Sequence, residues 1–319
     1  MTPREDLLTI GAERPTQVVV EGPAISPPKR FLWLSGLRSP KVLVGAAIVL
    51  VFVLVAIFGP ILDPVSPSAF GPDVLSPPSA AHWLGTTISG QDCLAQLIDG
   101  TSTSLAVGFV SGLIATALSV IVGLVGGYLS GLPDEFLSLL SNVFLVVPTL
   151  PLVVVLAGYL PNKGWISIAL VISLTSWAWG ARVLRVQAMS LRRRDFVAAA
   201  RATGESTMRI IFREMMPNMA ALVVSSFLFT VIFAVLTEAG LAFLGLGDVS
   251  QWSWGTILYW AESESAMQVG AWWWFVPAGL CIALLGTGLA LMNFGIDEFV
   301  NPRLRAARIG TRRSRRSEE

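Results

Sequence analysis

Six uncharged, apolar runs of bilayer-crossing length constrain this chain more than any motif in it. They span 42–62, about 104–128, 136–160 with interruptions at Pro148 and Pro151, 165–184, about 219–246, and 271–294. A hydrocarbon core of about 30 Å is crossed by roughly 20 apolar residues wound as a helix. Membrane strands would be about half as long and would alternate in polarity, so helices satisfy the backbone here. The expectation is an all-α polytopic membrane protein with six transmembrane helices. Composition agrees, because 54% hydrophobic and only 13% charged residues lie outside the usual balance of soluble domains.

The basic residues orient those helices. Six lie before the first run (Arg4, Arg14, Lys29, Arg30, Arg38, Lys41), eight fall within 182–213 and seven within 303–316. The remaining one is Lys163, and the segments 63–103 and 247–270 contain none. By the positive-inside rule both termini and the 182–213 loop are cytoplasmic. An even number of spans with both ends inside is self-consistent. Residues 1–40, with Pro3, Pro15, Pro23, Pro27 and Pro28, read as a flexible cytoplasmic tail without the apolar core of a cleavable signal. Residues 41–300 read as the transmembrane domain and 301–319 as a basic cytoplasmic tail. The two cysteines, Cys93 in an outer loop and Cys281 in the sixth helix, make no disulfide framework.

Several chemistries are then excluded. A gradient-driven carrier places ionisable groups near the bilayer midplane, and this chain offers few. Glu238 lies 21 residues after Pro217, about 30 Å along a helix, so it is expected at the outer interface as a candidate gate or pathway residue. Arg182 and Arg185 lie at the inner end of the fourth helix, where snorkelling accounts for them. The sequence Gly245-Leu246-Gly247-Asp248 is similar to an intramembrane aspartyl protease site, but that chemistry needs a second aspartate in a neighbouring helix, and none is present. A single histidine excludes a His-Glu-x-x-His zinc site, and there is no P-loop. No enzymatic site, cofactor site or metal site is expected in this chain. Energy for directed transport would enter from another protein.

Small residues and prolines shape the helices. Gly123, Gly127 and Gly131 recur every fourth residue, with Gly108 and Gly112 earlier on the same helix, a spacing that lets backbones approach closely. Pro148-Thr149-Leu150-Pro151 predicts a kink in the third helix. Pro148 and Pro151 are therefore candidate pathway residues, with a purely structural kink the alternative.

The cytoplasmic stretch 195–218, DFVAAARATGESTMRIIFREMMPN, reads as two short helices. Asp195 is the expected N-cap of the first, and Gly204 suits the left-handed position that ends it. The second runs from Ser206 to Met216, with Met208, Ile211, Phe212 and Met215 as one apolar stripe. Glu205, Arg209 and Arg213 take another face at i, i+4 spacing, and Pro217 starts the fifth transmembrane helix. Two readings stay open: an amphipathic connector on lipid headgroups, or a knob that docks into another protein, which the alanines favour.

The residues carry a resemblance. Ala199, Ala200, Gly204 and Pro217 fall at the spacing of the cytoplasmic signature of permease subunits of ATP-binding-cassette importers (Glu-Ala-Ala, three residues, Gly, nine residues, Ile, one residue, Leu-Pro). Ala198, Glu214 and Met216 depart from it, leaving Asp195 and Glu205 as the candidate acids. His82-Trp83-Leu84-Gly85-Thr86 with Gly90-Gln91-Asp92 resembles the outer loop of peptide and nickel importer permeases, with Thr87 and Gln91 where an acid and an arginine are usual. The stretch from Thr237 to Gly247, Trp252-Ser253-Trp254-Gly255, and Asn301-Pro302-Arg303-Leu304-Arg305 are similar to later parts of that family. The similarity runs in order over about 38–305.

This resemblance implies a type I importer-like permease in a bacterial inner membrane. It implies pairing with a homologous permease to form a path for di- or oligopeptides, an external substrate-binding protein, and partner ATPases that bind ATP and Mg. The coupling segment would be 195–217, with Asp195, Ala199, Ala200, Arg201, Gly204, Glu205, Ser206 and Arg209 facing the ATPase. Nickel or another small solute is the alternative cargo, and a stand-alone channel or carrier the competing class. Nucleic acid is not an expected partner, and lipid is.

Overall fold

A computed structural model describes residues 39–300; the two tails read from the sequence lie outside the described residues, apart from Ser39 and Pro40. The fold is helical. In order the helices are α1 (Pro40–Leu62), α2 (Cys93–Tyr128), α3 (Leu132–Val146), α4 (Thr149–Gly158), α5 (Trp165–Leu191), α6 (Asp195–Ala202), α7 (Ala220–Phe243), α8 (Trp254–Ser263) and α9 (Trp272–Val300). Between α6 and α7, residues 207–218 form a helical segment whose middle, Ile210–Met215, is wound as a π-helix. Among the described residues five helices are long and apolar enough to span a membrane, and α3 with α4, bent by 84° at their break, passes the same test of length and composition as a pair.

The break sharpens the predicted kink. Pro148 has no amide hydrogen, and the ring pushes the residue before it into extended backbone; Val147 has ψ 126. Pro148 thereby becomes the N-cap of α4. Pro151 falls in the first turn of α4, where amide donors have no partner in the helix anyway.

Helix α2 is the axis of the bundle. It begins at Cys93, about ten residues before the apolar run predicts, because the Asp92 carboxylate accepts hydrogen bonds from the amides of Leu94 (2.9 Å) and Ala95 (3.0 Å). Cys93 therefore belongs to a helix and is buried, rather than lying in a loop. Its 36 residues extend about 54 Å, well past the hydrocarbon. Gly123 and Gly127 pack against α5, where an added Cβ would lie 2.6 Å from the carbonyls of Ala181 and Arg185 respectively. Gly108 and Gly112 pack in the same way against Val235 and Val231 of α7. Gly131 does not share this role. It has φ +75, nothing lies within 4 Å of its would-be Cβ, and it precedes α3 as the N-cap.

Two apolar clusters set the ends. Val107, Ile168, Ile172, Ala234 and Leu241 form one near the outer ends of α2, α5 and α7. Leu124, Leu184, Val197, Ile210, Ile211 and Met215 form the other, joining the bundle to the cytoplasmic segment. Helix α1 lies along α9, with Gly45 against the Gly288 carbonyl, and turns Leu43, Leu50, Leu54 and Ile61 outward.

Candidate functional site: the cytoplasmic knob and the outer carboxylate

The cytoplasmic segment is a knob with a fixed root and a free tip. Helix α6 starts at Asp195, but Arg194, extended at ψ 150, occupies the N-cap, and no side chain caps the helix. Asp195 is thus the first helical residue rather than the cap expected for it. There its charge still opposes the positive end of the helix dipole. At the other end the Gly204 amide donates to the Arg201 carbonyl (3.0 Å) and the Glu205 amide to the Ala200 carbonyl (3.1 Å). These are the two bonds of a Schellman motif, which requires a left-handed residue at the turn; Gly204 has φ +79.

The buried stripe differs from the predicted one. Ile210, Ile211 and Met215 are buried, whereas Met208 is 61% and Phe212 40% exposed. The π winding is the reason. It bonds residue i to i+5, as in the Met216 amide to the Ile211 carbonyl, and so brings Ile210 and Met215 onto one side. Pro217 precedes a short break at Met219, and α7 begins only at Ala220.

The other predicted coupling residues fall into two groups. Asp195, Ala199, Gly204, Ser206 and Arg209 are exposed. Among the described residues nothing lies within 4 Å of a Cβ built on Gly204. Ala200 is half-buried against the inner cluster. Glu205 pairs with Arg209 (3.4 Å), and its other carboxylate oxygen is buried without a partner. The Arg201 guanidinium lies 4.9 Å from the Tyr128 ring centroid and donates to the Tyr128 hydroxyl (3.1 Å), so it ties α6 to the end of α2. Among the candidate acids, Asp195 is the exposed one.

Glu238 is enclosed by protein. Its side chain is buried between α2, α7 and the start of α8, and it accepts a hydrogen bond from the Ser104 hydroxyl (3.2 Å). The Ser104 oxygen in turn accepts from the Trp254 amide (3.0 Å), and the Trp254 indole donates to Thr101 (3.1 Å). Its cover comes from Ser104, at the start of the second apolar run, and from α8, which no apolar run marks. Helix α8 was nevertheless legible, because Ser253 precedes Trp254, Ile257, Leu258 and Ala261 at helical spacing and forms a capping box with Thr256.

The outer loop closes on the same helix. His82 Nδ1 lies 2.7 Å from Asp92 and Nε2 lies 3.6 Å from Asp73. The hydrogen bond to Asp92 holds the His82 pKa above its ordinary 6.5, with Asp73 adding to the effect. The two departures from the family pattern meet here as neighbours. The Gln91 amide donates to the Thr87 hydroxyl oxygen (3.1 Å), the Thr87 amide to the Gln91 carbonyl (2.9 Å), and the Gln96 side-chain amide to Gln91 Oε1 (3.0 Å). A neutral network thus joins the two positions where the resembling pattern has an acid and an arginine.

Snorkelling does not describe Arg185. Its guanidinium makes two parallel bonds to Asp134 in the first turn of α3. Pro148 and Pro151 are both exposed, at the break between α3 and α4.

Comparison with known proteins agrees with this architecture. The family described as "Binding-protein-dependent transport system inner membrane component" matches residues 115–306. The oligopeptide transport system permease protein OppC of Bacillus subtilis (strain 168) is 31% identical, over 88% of this chain and 93% of that protein. OppC of Mycobacterium tuberculosis (strain ATCC 25618 / H37Rv) is 33% identical over 84% and 91%. The di/tripeptide transport system permease protein DppC of Pseudomonas aeruginosa (strain UCBPP-PA14) is 33% identical over 88% and 94%. Among solved structures, the inward-facing MetNI methionine ABC transporter superposes with a TM-score of 0.52 at 18% identity, covering 65% of this chain and 95% of that one. That likeness is one of fold, and it is the six-span, type I importer-like fold expected. This chain belongs to the family of inner membrane components of binding-protein-dependent transport systems.

Proposed function

We propose that this chain is the permease subunit of an ATP-driven importer and forms, with a homologous permease, the path for di- or oligopeptides. An external binding protein delivers the peptide, and separate ATPase subunits bind ATP and Mg. The observation that carries this reading is the knob. Its root is locked by Val197, Ile210, Ile211 and Met215, while its tip presents Asp195, Ala199, Gly204, Ser206 and Arg209 to solvent. A rigid lever with a free, small-residue tip is suited to receive motion from a docked partner. The exposed Phe196, Met208 and Phe212 add apolar surface for such a contact. The relatives' names support peptide as the cargo.

Movement of the knob passes through the inner cluster to α2 and α5, which share Leu124 and Leu184 with it. Alternating access follows when nucleotide and peptide prefer different arrangements of these helices. In this scheme Glu238 holds the outer end, tying α7 to α2 and, through Ser104, to α8, as a gate residue. Purifying the intact complex and identifying the ligand on its external partner tests the reading. Recovered peptide supports it, and a metal chelate or another solute in its place overturns the assigned cargo.

A further inference from the structure

The break between α3 and α4 opens a recess of about 320 Å³ whose walls come from α3, α4, α5 and α7. That is the lower end of the range of small-molecule sites. It lies at the level of the middle turns of α5 and α7. One wall is the ring pair Trp179 and Phe229, with centroids 5.1 Å apart and both rings about half exposed. The rest includes Thr149, Thr175, Ser176 and Thr230, and no charged side chain lines it.

Three of these four hydroxyls are committed to their own helices. Thr175 donates to the Val171 carbonyl (2.9 Å), Ser176 to that of Ile172 (2.7 Å) and Thr230 to that of Ser226 (2.8 Å). With its one hydrogen committed, a hydroxyl offers only acceptor lone pairs to anything in the recess. Lipid tails carry no donors for them. A peptide presents an N–H at each residue other than proline, and its terminal ammonium is attracted to aromatic faces. The groove between α7 and α9 is a useful contrast. It has about 460 Å³ and is lined by Ile232, Leu236, Ile282, Leu289 and small residues, with Thr287 its one hydroxyl, a surface suited to acyl chains.

We propose that the recess between α3, α4, α5 and α7 is a transient peptide subsite at membrane depth, which receives backbone N–H groups and the amino end on hydroxyl acceptors and aromatic rings. It rests on the peptide-import reading above. With no charged wall, it accepts peptides with little regard to side-chain sequence. Pro148 and Pro151 serve it indirectly, by holding α3 and α4 apart.

The test uses the complete complex in liposomes, with Thr230→Cys and, on another face of the same helix, Leu236→Cys. The unsubstituted chain reports any background from Cys93 and Cys281. A charged, water-soluble thiol reagent is expected to label position 230 and not 236. An imported pentapeptide, held at about four times its Kd, is expected to slow labelling at 230 by about fivefold. Labelling of 230 only by a lipid-soluble maleimide, as at 236, overturns the subsite. So does water-soluble labelling that is indifferent to a peptide the unsubstituted complex imports. If the unsubstituted complex imports no peptide, the import reading itself fails and the subsite falls with it.

Discussion

Arg185 and Asp134, 51 residues apart in sequence, form a bidentate ion pair: Nε to Oδ1 at 2.7 Å and Nη2 to Oδ2 at 2.9 Å. It fastens the first turn of α3 to the inner part of α5, next to the glycine-lined contact of α2 with α5. Both side chains are partly buried, and planar two-bond geometry makes such pairs strong. Asp134→Ala is expected to cost about 1.5–3 kcal/mol by leaving Arg185 without its acceptor. Thermal unfolding of the detergent-purified chain checks this, and an unchanged midpoint would mean that the pair contributes little.

Gly204 separates fold from docking. A Cβ there meets nothing among the described residues, and the left-handed backbone costs a non-glycine residue about 1–2 kcal/mol. Gly204→Asp should therefore insert and fold, yet lower substrate-stimulated ATP hydrolysis in the reconstituted complex by at least about tenfold, which equals about 1.4 kcal/mol of lost coupling. Normal coupling in this variant would sink the docking role.

Ser206 lies on the exposed tip just beyond the turn. A Ser206→Cys chain is expected to cross-link to the ATPase subunit with a short bifunctional reagent. If the thiol instead reacts freely with a water-soluble reagent in the full complex, the segment is a headgroup-resting connector.

The outer loop should depend on pH through His82. Its folded-state pKa is raised above 6.5, first by the hydrogen bond to Asp92. A group raised on folding contributes stability that is full below its unfolded value and is lost as pH rises through the folded value. Amide exchange at Leu94 and Ala95, whose N–H groups bond to the same Asp92, is therefore expected to accelerate between mildly acidic and alkaline pH by more than the intrinsic chemistry does. His82→Gln should flatten that excess. A persistent excess in the variant would assign the dependence to another group.

Glu238 gives a test at the other end of the bundle. Glu238→Gln keeps an acceptor for Ser104, whereas Glu238→Ala leaves the buried Ser104 hydroxyl without that acceptor, at about 1–3 kcal/mol. The alanine variant is expected to unfold at lower temperature than the glutamine variant and to raise ATP hydrolysis in the absence of peptide. Equal behaviour of the two would remove Glu238 from the gate.

Much of this was legible in the residues because it is local. Apolar length defined the spans, Pro148 interrupted one of them, and Gly204 required a left-handed turn whatever surrounded it. The burial pattern of 207–218 was not legible. A regular α-helix would have put Met208, Ile211, Phe212 and Met215 on one face, but the inner cluster takes Ile210 and Met215 together, and the backbone accommodates it by π winding. The enclosure of Glu238 was not legible for a related reason. Its distance along one helix was read correctly, but the cover that α2 and α8 supply comes from elsewhere in the chain.

The sequence alone determined the membrane class, the number of apolar segments and the turn of the knob. Each depends on solvation or backbone preference within a short window. Only the tertiary structure decided that Arg185 finds Asp134, that Glu238 is enclosed with Ser104 and Trp254, and that the α3–α4 break opens a hydroxyl-lined recess. Those outcomes depend on which helices become neighbours, and close approach along α2, permitted by its glycines, selects them.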